Sequence, residues 1–358
     1  MADGATTTVS LSMESALAPT AAFETLMDEL VSALDRVGLA FTPGPAGRVT
    51  QGDFEVGRVV EWAPGQRMRL QWRQADWQPD AVTEVEALVQ PLGAGARITL
   101  AHRGWGAQIG DPAELVGWFA DAAAAPLLSA MAPAALGDWL TDRMGRRPTG
   151  AQSRAIYSDP LYHWPNFRVF LSELRLSPDD YLLEVGCGGG ALLHELLKSG
   201  CHAAAVDHSF DMVRLASERN HDAIAEGRLT IQRADAAQLP FADNTFSHAM
   251  MTGVLGHLPD AVGALREVRR TLAPGGEFIA LGSDPELRGT PAAPEPAASR
   301  IHFYDDDELR ALAVAAGFDE AWVERRDLEQ FARESGVPEE HIELFRGPGA
   351  RFLFARKG

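Results

Sequence analysis

The stretch LLEVGCGGGALLHELLKSG, residues 182–200, joins an apolar run to an amphipathic one through four glycines in five positions, Gly186, Gly188, Gly189 and Gly190. Glycine inside a helix or strand costs roughly 0.5–1 kcal/mol, so this cluster indicates a turn that needs its conformational freedom. A helix that starts after such a turn presents free backbone N–H groups at its N-terminus. The sequence therefore predicts a strand-to-helix turn at which a ligand can reach the backbone.

Strand and helix patterns alternate from residue 181 onward. Predicted strands lie at 181–186, 202–207, 228–235, 246–253 and 277–283, and predicted helices lie at 191–199, 209–220 and 259–272. This alternation predicts an α/β, Rossmann-like fold with a mainly parallel sheet that is covered on both faces. Ligands of such sheets bind at the carboxyl ends of the strands, where the strand order reverses.

The glycines alone do not identify the ligand. Asp207 ends the second predicted strand, and a carboxylate there can accept both ribose hydroxyls of an adenosine. Gly186, Gly188 and Ala191 satisfy G-x-G-x-x-A, so a nicotinamide-dependent dehydrogenase fits these positions equally well.

Two further carboxylates favour a cationic cofactor. Glu184 precedes Gly186 by two residues, where a second anion disfavours a pyrophosphate but suits an ammonium and a sulfonium group. Asp235 ends the third predicted strand and can accept a hydrogen from an adenine amino group.

Three segments, LLEVGCGGG at 182–190, ADAAQLPFADNTF at 234–246 and LAPGG at 272–276, resemble the class I S-adenosylmethionine-dependent methyltransferases. The resemblance covers residues 155–358 and implies a seven-stranded sheet whose last strand is antiparallel. It implies S-adenosylmethionine as the cofactor, and an enzyme that methylates a small, hydrophobic or aromatic molecule. A non-catalytic protein that senses S-adenosylmethionine is the alternative.

The resemblance also implies the members of the cofactor site: Tyr157, Trp164, Glu184, Gly186, Cys187, Gly188, Gly190, Asp207, His208, Met212, Asp235, Ala236, Thr252 and Leu255. Tyr157 and Trp164 belong to an aromatic segment, 155–178, which either covers the cofactor as a cap or serves packing only. For Cys187, a small residue in a turn is the simpler interpretation.

A general base is needed if the methyl acceptor is a hydroxyl or a protonated amine. His257, which follows the fourth predicted strand, is the best-placed candidate, and His163 and His302 are weaker ones. Relatives often carry two histidines here, whereas this chain has Gly256 first, a departure that bears directly on the base assignment.

The first part of the chain has a different pattern. Predicted strands lie at 54–62, 67–73, 82–90 and 96–103, between predicted helices at 19–34 and 111–131, which indicates an α+β domain. The segment TEVEALVQPLGAGARITLAHRGW at 83–105 resembles the SRPBCC, or START-like, helix-grip family, which implies an apolar cavity for a small ligand. The tryptophans of this region are then either core residues or the wall of a substrate pocket. We place this domain at 1–145, a polar linker at 146–154 and the methyltransferase domain at 155–358.

Composition narrows the partners and the location. The chain has 32 basic and 50 acidic residues, a net charge of −18, so nucleic acid and anionic membranes are not expected to bind. Two cysteines give neither a disulfide framework nor a metal-ligand spacing, and the N-terminus has no signal-peptide pattern, so a cytoplasmic location is expected. DDDEL at 305–309 indicates a helix start rather than a metal cluster, and no metal is predicted. A small-molecule substrate is the expected partner, and a homodimer is left open.

Overall fold

The computed structural model describes residues 7–78, 80–106, 109, 112–148, 150–290, 293–347 and 349–358. The chain forms two compact units, Met1–Trp139 and Leu140–Gly358. This division falls before the predicted end of the first domain at residue 145, and part of the predicted linker is helical.

The first unit is an antiparallel sheet with helices. Its strands are β1 (Thr7–Ser15), β2 (Ala40–Thr42), β3 (Arg48–Gln51), β4 (Phe54–Ala63), β5 (Arg67–Trp72), β6 (Thr83–Leu92) and β7 (Gly95–Trp105). Its helices are α1 (Pro19–Asp35), α2 (Pro112–Phe119), a π-helical turn (Ala120–Ala124), α3 (Ala125–Met131) and α4 (Pro133–Thr141), within which the division falls. The sheet order is β1-β7-β6-β5-β4-β3-β2.

Period-two alternation explains which face of this sheet is buried. Met68, Leu70 and Trp72 of β5 are 0%, 3% and 2% exposed, which confirms the face predicted from the sequence. Helix α1 covers the same core with Phe23 and Leu26. The α+β layout and the four predicted strands are thereby confirmed, whereas β1, β2 and β3 were not predicted.

The second unit alternates strands and helices. Its strands are β8 (Tyr181–Val185), β9 (His202–Asp207), β10 (Leu229–Arg233), β11 (Phe246–Met251), β12 (Leu272–Leu281), β13 (Glu320–Arg326) and β14 (Ala350–Arg356). Its helices are α5 (Gly150–Ser158), α6 (Trp164–Glu173), α7 (Ala191–Leu196), α8 (Phe210–Arg219), α9 (His221–Ala225), α10 (Ala261–Thr271), α11 (Asp306–Ala315) and α12 (Glu329–Glu334). Shorter helical turns lie at Asp142–Arg146, Leu161–His163, Leu197–Ser199, Leu255–His257, Pro285–Leu287 and Glu339–Phe345.

The strand order of this sheet is β10-β9-β8-β11-β12-β14-β13. Strands β8 to β12 run parallel, and β14 pairs antiparallel with both β12 and β13. The expected seven-stranded sheet with an antiparallel last strand is confirmed. Because the chain moves outward from β8 to β10 and then returns to β11 on the other side of β8, the strand order reverses between β8 and β11.

Both faces of the second sheet are covered, as the apolar strands predict. In β8, Leu183 and Val185 lie in one core, whereas Leu182 lies in the other. Alternation therefore puts Glu184 on the same face as Leu182. The helices complete these two cores, because each turns its apolar face, repeated every 3.6 residues, toward the sheet.

The DDDEL motif confirms the predicted helix start. The Asp305 side chain accepts the Glu308 N–H at 2.8 Å, and the Glu308 side chain accepts the Asp305 N–H at 2.9 Å. This reciprocal capping box satisfies two backbone donors that a helix N-terminus otherwise leaves free.

Candidate active site

The glycine turn follows β8 directly. Gly186, Gly188 and Gly190 have φ angles of +79°, +50° and +70°, a region that side chains with a Cβ rarely adopt. A Cβ on Gly186 would lie 2.3 Å from Val254 Cγ2, and one on Gly190 would lie 2.7 Å from Asn220 Nδ2. The turn therefore needs glycine for its backbone conformation and for its close packing against Val254 and Asn220, whether or not a ligand is bound.

Asp207, the last residue of β9, braces this turn. Its Oδ2 accepts the Gly188 N–H at 3.0 Å and its Oδ1 accepts the Ser209 N–H at 2.8 Å. Burial raises its pKa above the ordinary value, against the backbone hydrogen bonds that lower it. A carboxylate has about four lone-pair positions, so each oxygen can accept a further hydrogen bond from a ligand.

Glu184 lies one strand away and is 2% exposed. Its Oε2 has no hydrogen-bond partner among the described residues, and the same is true of Thr252 Oγ1 just beyond β11. Burial, and then the charge of Asp207, raise the Glu184 pKa well above its ordinary value. Because β11 pairs with β8 in register Met250 to Glu184, the two unpartnered oxygens lie at neighbouring strand ends. This end of the sheet fits a ligand with a cationic group and further polar groups.

Tyr157, in the aromatic segment before β8, lies against the glycine turn. A Cβ on Gly188 would lie 3.0 Å from the Tyr157 ring, and burial, assisted by Asp207, raises the Tyr157 pKa to about 12. Trp164 packs against the core cluster that includes Phe167 and Cys187, and it meets Phe167 edge-on at 5.3 Å. Of these two aromatic residues, Tyr157 lines the cavity and Trp164 does not.

A cavity of about 480 Å³ opens at these strand ends, within the usual size range of ligand pockets. Nine predicted site residues line it: Tyr157, Gly186, Gly188, Asp207, His208, Asp235, Ala236, Thr252 and His257. The remaining predicted residues do not: Trp164, Glu184, Cys187, Gly190, Met212 and Leu255. Of these, Met212 and Leu255 are fully buried core residues, and the Cys187 N–H donates to Val206 O at 3.1 Å in the turn.

His257 also lines the cavity. Its Nδ1 has no hydrogen-bond partner in the described part of the chain. Burial, followed by the charges of Arg146 and His208, lowers its pKa to about 4, so the ring is neutral at neutral pH. A Cβ on Gly145 would lie 2.7 Å from His257 Cε1, so that glycine allows a close approach of the two segments.

Five residues of the segment 142–148 line the cavity, although the sequence pattern predicted that this segment belongs to the first domain and the linker: Asp142, Gly145, Arg146, Arg147 and Pro148. The His208 ring hydrogen-bonds to the Arg146 carbonyl, and Ser209 Oγ donates to Pro148 O at 2.5 Å. The predicted linker also contains the start of α5, whose Arg154 pairs with Asp211 at 3.2 Å. Polar composition suggested a linker, but these partners are distant in sequence, so the pattern did not reveal the contacts.

The cavity is also lined by Arg300, which the sequence pattern did not indicate, and by His302, a weaker candidate for the base. Arg146 Nη2 donates to Arg300 O at 2.7 Å, and the His302 N–H donates to Gly256 O at 2.8 Å. Both follow the Pro/Ala-rich run 289–299, which gave no side-chain signal of its own.

No group of three or more His, Cys, Asp or Glu side chains that could hold a metal ion occurs among the described residues. Within the same residues, no helix combines the length and the apolar character that crossing a membrane requires.

Comparison with known proteins agrees with this geometry. A family model described as a methyltransferase domain matches residues 183–280. The chain is 31% identical over 171 residues to the demethylmenaquinone methyltransferase of Corynebacterium urealyticum, which covers 46% of this chain and 70% of that protein. It is 31% identical over 176 residues to the 27-O-demethylrifamycin SV methyltransferase of Amycolatopsis mediterranei, covering 45% and 61% respectively.

A solved S-adenosylmethionine-dependent methyltransferase from Mesorhizobium loti is 22% identical, with a TM-score of 0.45; the match covers 56% of this chain and 100% of that one. The family assignment depends on the sequence relatives and on the matched domain. This chain belongs to the class I S-adenosylmethionine-dependent methyltransferases, for which S-adenosylmethionine is the methyl donor.

Proposed function

We propose that this enzyme methylates a mainly apolar, ring-containing small molecule, and that donor and acceptor share the cavity described above. The observation that carries the proposal is the pair of buried carboxyls at adjacent strand ends: Glu184, with one oxygen unpartnered among the described residues, and Asp207. Two anionic groups suit a cofactor whose reacting end is cationic. The lining of the cavity also includes Val254, Leu258 and Pro259, which suits an apolar acceptor. The names of the relatives, which act on demethylmenaquinone and on a demethylrifamycin, support the same class.

The residues have distinct roles in this proposal. S-adenosylmethionine supplies the activated methyl group when bound, so the protein contributes mainly position and exclusion of water. Asp207 would hold the ribose, Asp235 the adenine and Thr252 the methionyl end, and Glu184, which does not line the cavity, would stabilise the cationic end through its charge. Correct alignment of acceptor and methyl group accounts for about 7–11 kcal/mol of the barrier in favourable cases.

His257 is the proposed proton acceptor if the methylated atom carries a proton. Its lowered pKa, about 4, leaves the imidazole neutral at neutral pH. A neutral ring nitrogen can accept a hydrogen bond from a hydroxyl group of the molecule to be methylated. The same low pKa makes the ring a weak base, so its contribution should be toward the lower part of the usual range of about 10²–10⁴-fold.

For the first unit we propose the helix-grip, SRPBCC-like assignment and a role in binding the acceptor. An antiparallel seven-stranded sheet with α1 after its first strand and a helical run, 112–131, after its last supports that assignment. Its interior holds a buried His102, whose Nε2 lies 2.6 Å from Thr83 Oγ1, beside the rings of Trp72 and Trp105. Such an aromatic interior with few polar groups is typical of small-molecule sites.

The test combines cofactor binding with turnover. Calorimetric titration with S-adenosylmethionine should give at least about tenfold weaker binding for Asp207→Asn, because a charge-assisted hydrogen bond is lost. The exposed Asp222 provides a matched control, and Asp222→Asn should bind as the wild type does. Unchanged binding by Asp207→Asn contradicts the site.

Turnover is measured as S-adenosylhomocysteine formed with a panel of acceptors: a naphthohydroquinone, a sterol and a catechol. Formation with at least one apolar ring compound is expected. Binding of S-adenosylmethionine without product on the panel or on a metabolite extract would instead favour the sensing protein, and binding of NAD in its place would favour a dehydrogenase.

A further inference from the structure

The chain returns to the active site after β12 and lies against the turn that follows β11. The His302 N–H donates to Gly256 O at 2.8 Å, and the Tyr304 N–H donates to Ser283 O at 2.9 Å. A Cβ on Gly256 would lie 2.3 Å from Ser283 Oγ and 2.7 Å from His302 O. No φ in the left-handed region is involved at this position. Gly256 is therefore required by close contact and not by backbone conformation.

This contact fixes one wall of the cavity. Arg300 and His302 both line it, on the side that also carries His257. The Arg300 carbonyl accepts a hydrogen bond from Arg146 Nη2 at 2.7 Å, so residues 300–302 are held from two directions. Neither contacting segment, 142–148 or 300–302, lies within the family match at 183–280. This wall thus lies outside the part of the chain that the methyltransferase-domain model matches, which makes it a natural place for acceptor specificity.

Three histidines line the cavity, and their rings differ in exposure and in hydrogen bonding. The His208 ring is engaged by the Arg146 carbonyl, next to Asp207. The His257 ring is partly buried beside Gly145. His302 is exposed, and its ring stacks on Tyr304 at 6.2 Å with an interplanar angle of 28°. His302 lines the cavity, and an imidazole nitrogen can donate or accept a hydrogen bond there.

We propose that His302 hydrogen-bonds to a polar oxygen on the methyl acceptor, and that Gly256 is the positioning residue that holds His302 there. The proposal depends on the proposed function, because it assumes that an acceptor occupies this side of the cavity. An imidazole can donate to a quinone carbonyl or accept from a phenolic hydroxyl, so the class selected is an apolar ring with an oxygen substituent. Arg300, on the same wall, adds positive charge that favours an oxygen over an ammonium group.

The kinetic test compares His302→Ala, His302→Gln and Gly256→Ala. For the panel compound that the wild type methylates best, we expect kcat/KM to fall at least about tenfold in His302→Ala, with partial recovery in His302→Gln, whose amide also hydrogen-bonds. Gly256→Ala should show the same acceptor defect, because the added Cβ displaces residues 300–304. Affinity for S-adenosylhomocysteine should stay within about twofold in all three. A His302→Ala enzyme with unchanged kcat/KM, or with an equal loss of S-adenosylhomocysteine affinity, overturns the proposal.

A second measurement requires no acceptor and so separates this proposal from the proposed function. Diethylpyrocarbonate acylates accessible imidazoles, and mass spectrometry gives the rate at each histidine. Saturating S-adenosylhomocysteine should protect His208 but leave His302 as reactive as before, and Gly256→Ala should change the rate at His302 only. Protection of His302 equal to that of His208 would place it in the cofactor half and overturn the proposal, even if every panel compound is methylated. Circular dichroism of each variant confirms that it has folded.

Discussion

Glu184 combines full burial with an incomplete set of hydrogen bonds. It is 2% exposed, its Oε2 has no partner among the residues described, and burial and Asp207 raise its pKa well above the ordinary value. An ionised carboxylate in that environment is costly unless a cation compensates it. We therefore expect the carboxyl to hold a proton until a cationic ligand binds.

This expectation gives a pH dependence for cofactor binding. A bound ammonium or sulfonium group stabilises the ionised form and lowers the Glu184 pKa, so about one proton should leave on binding. Affinity for S-adenosylmethionine should then rise with pH up to the raised pKa and level off above it. Calorimetry in two buffers of different ionisation enthalpy counts the protons, and Glu184→Gln should abolish both the release and the slope.

S-adenosylhomocysteine provides a matched ligand because its sulfur is uncharged. It should release fewer protons than S-adenosylmethionine if the sulfonium contributes to the effect. Asp207 also has a raised pKa, so Asp207→Asn serves as the second control. A wild-type affinity that does not change with pH, with no proton released, would show that Glu184 does not face the cation.

The capping box of α11 offers a prediction for a single element. Asp305 and Glu308 satisfy each other's backbone N–H groups. Removing the cap with Asp305→Ala should lower the free energy of unfolding by about 1 kcal/mol. Asp307 lies in the same first turn, and its side chain forms an exposed ion pair with Arg310 at 3.1 Å, so Asp307→Ala should lower the free energy of unfolding by only about 0.3 kcal/mol.

Hydrogen exchange over residues 306–315 measures how each substitution changes the stability of α11, and urea unfolding measures how each changes the free energy of unfolding of the protein. A larger loss for Asp307→Ala than for Asp305→Ala would contradict the capping argument. Asp306 is not a suitable control, because it also bonds to Arg325 and to the buried Arg351.

Element by element, the sequence predicts what depends on neighbours along the chain. The strand β5 was readable because Met68, Leu70 and Trp72 alternate with polar residues over its whole length. The strand β2 was not, because three residues at an edge of the sheet carry almost no pattern. Helix α5 was missed because GAQSR reads as polar linker, while its anchor, the ion pair between Arg154 and Asp211, depends on residues far apart in the sequence.

The same distinction applies to the candidate site. Asp207 and Asp235 were predictable because Asp207 ends β9 and Asp235 closely follows β10, and parallel strands bring their carboxyl ends to one edge of the sheet. Arg146 was not predicted and His302 was only a weaker candidate, because their places in the cavity come from contacts between segments 154 residues apart, Arg146 to Arg300, and between separate loops, His302 to Gly256. Gly256 illustrates both cases: the sequence marks it as unusual, but only the contact with His302 O explains why it is glycine.

For the molecule as a whole, the two units can be tested separately for cofactor binding and acceptor binding. Every described residue that lines the active-site cavity lies between 142 and 302, within the unit Leu140–Gly358. The second unit thus contains all the groups assigned here to the cofactor. A fragment that consists of Leu140–Gly358 should bind S-adenosylhomocysteine within about threefold of the full chain, and a saturating dose should stabilise it by about 2–4 kcal/mol.

Turnover by the same fragment tests the acceptor role of the first unit. If that unit binds the acceptor, its removal leaves the chemistry in place but takes away binding energy, so KM for the acceptor should rise at least about tenfold while kcat changes less. The full chain with the surface substitution Asp222→Asn is the control, and the difference between its kinetic constants and those of the wild type gives the experimental error. Equal kcat/KM for fragment and full chain would remove the first unit from acceptor binding, whereas a loss of kcat at unchanged KM would mean that it supports catalytic geometry instead. The stabilisation by S-adenosylhomocysteine shows that the fragment is folded, so each kinetic result can be read as an effect on the acceptor.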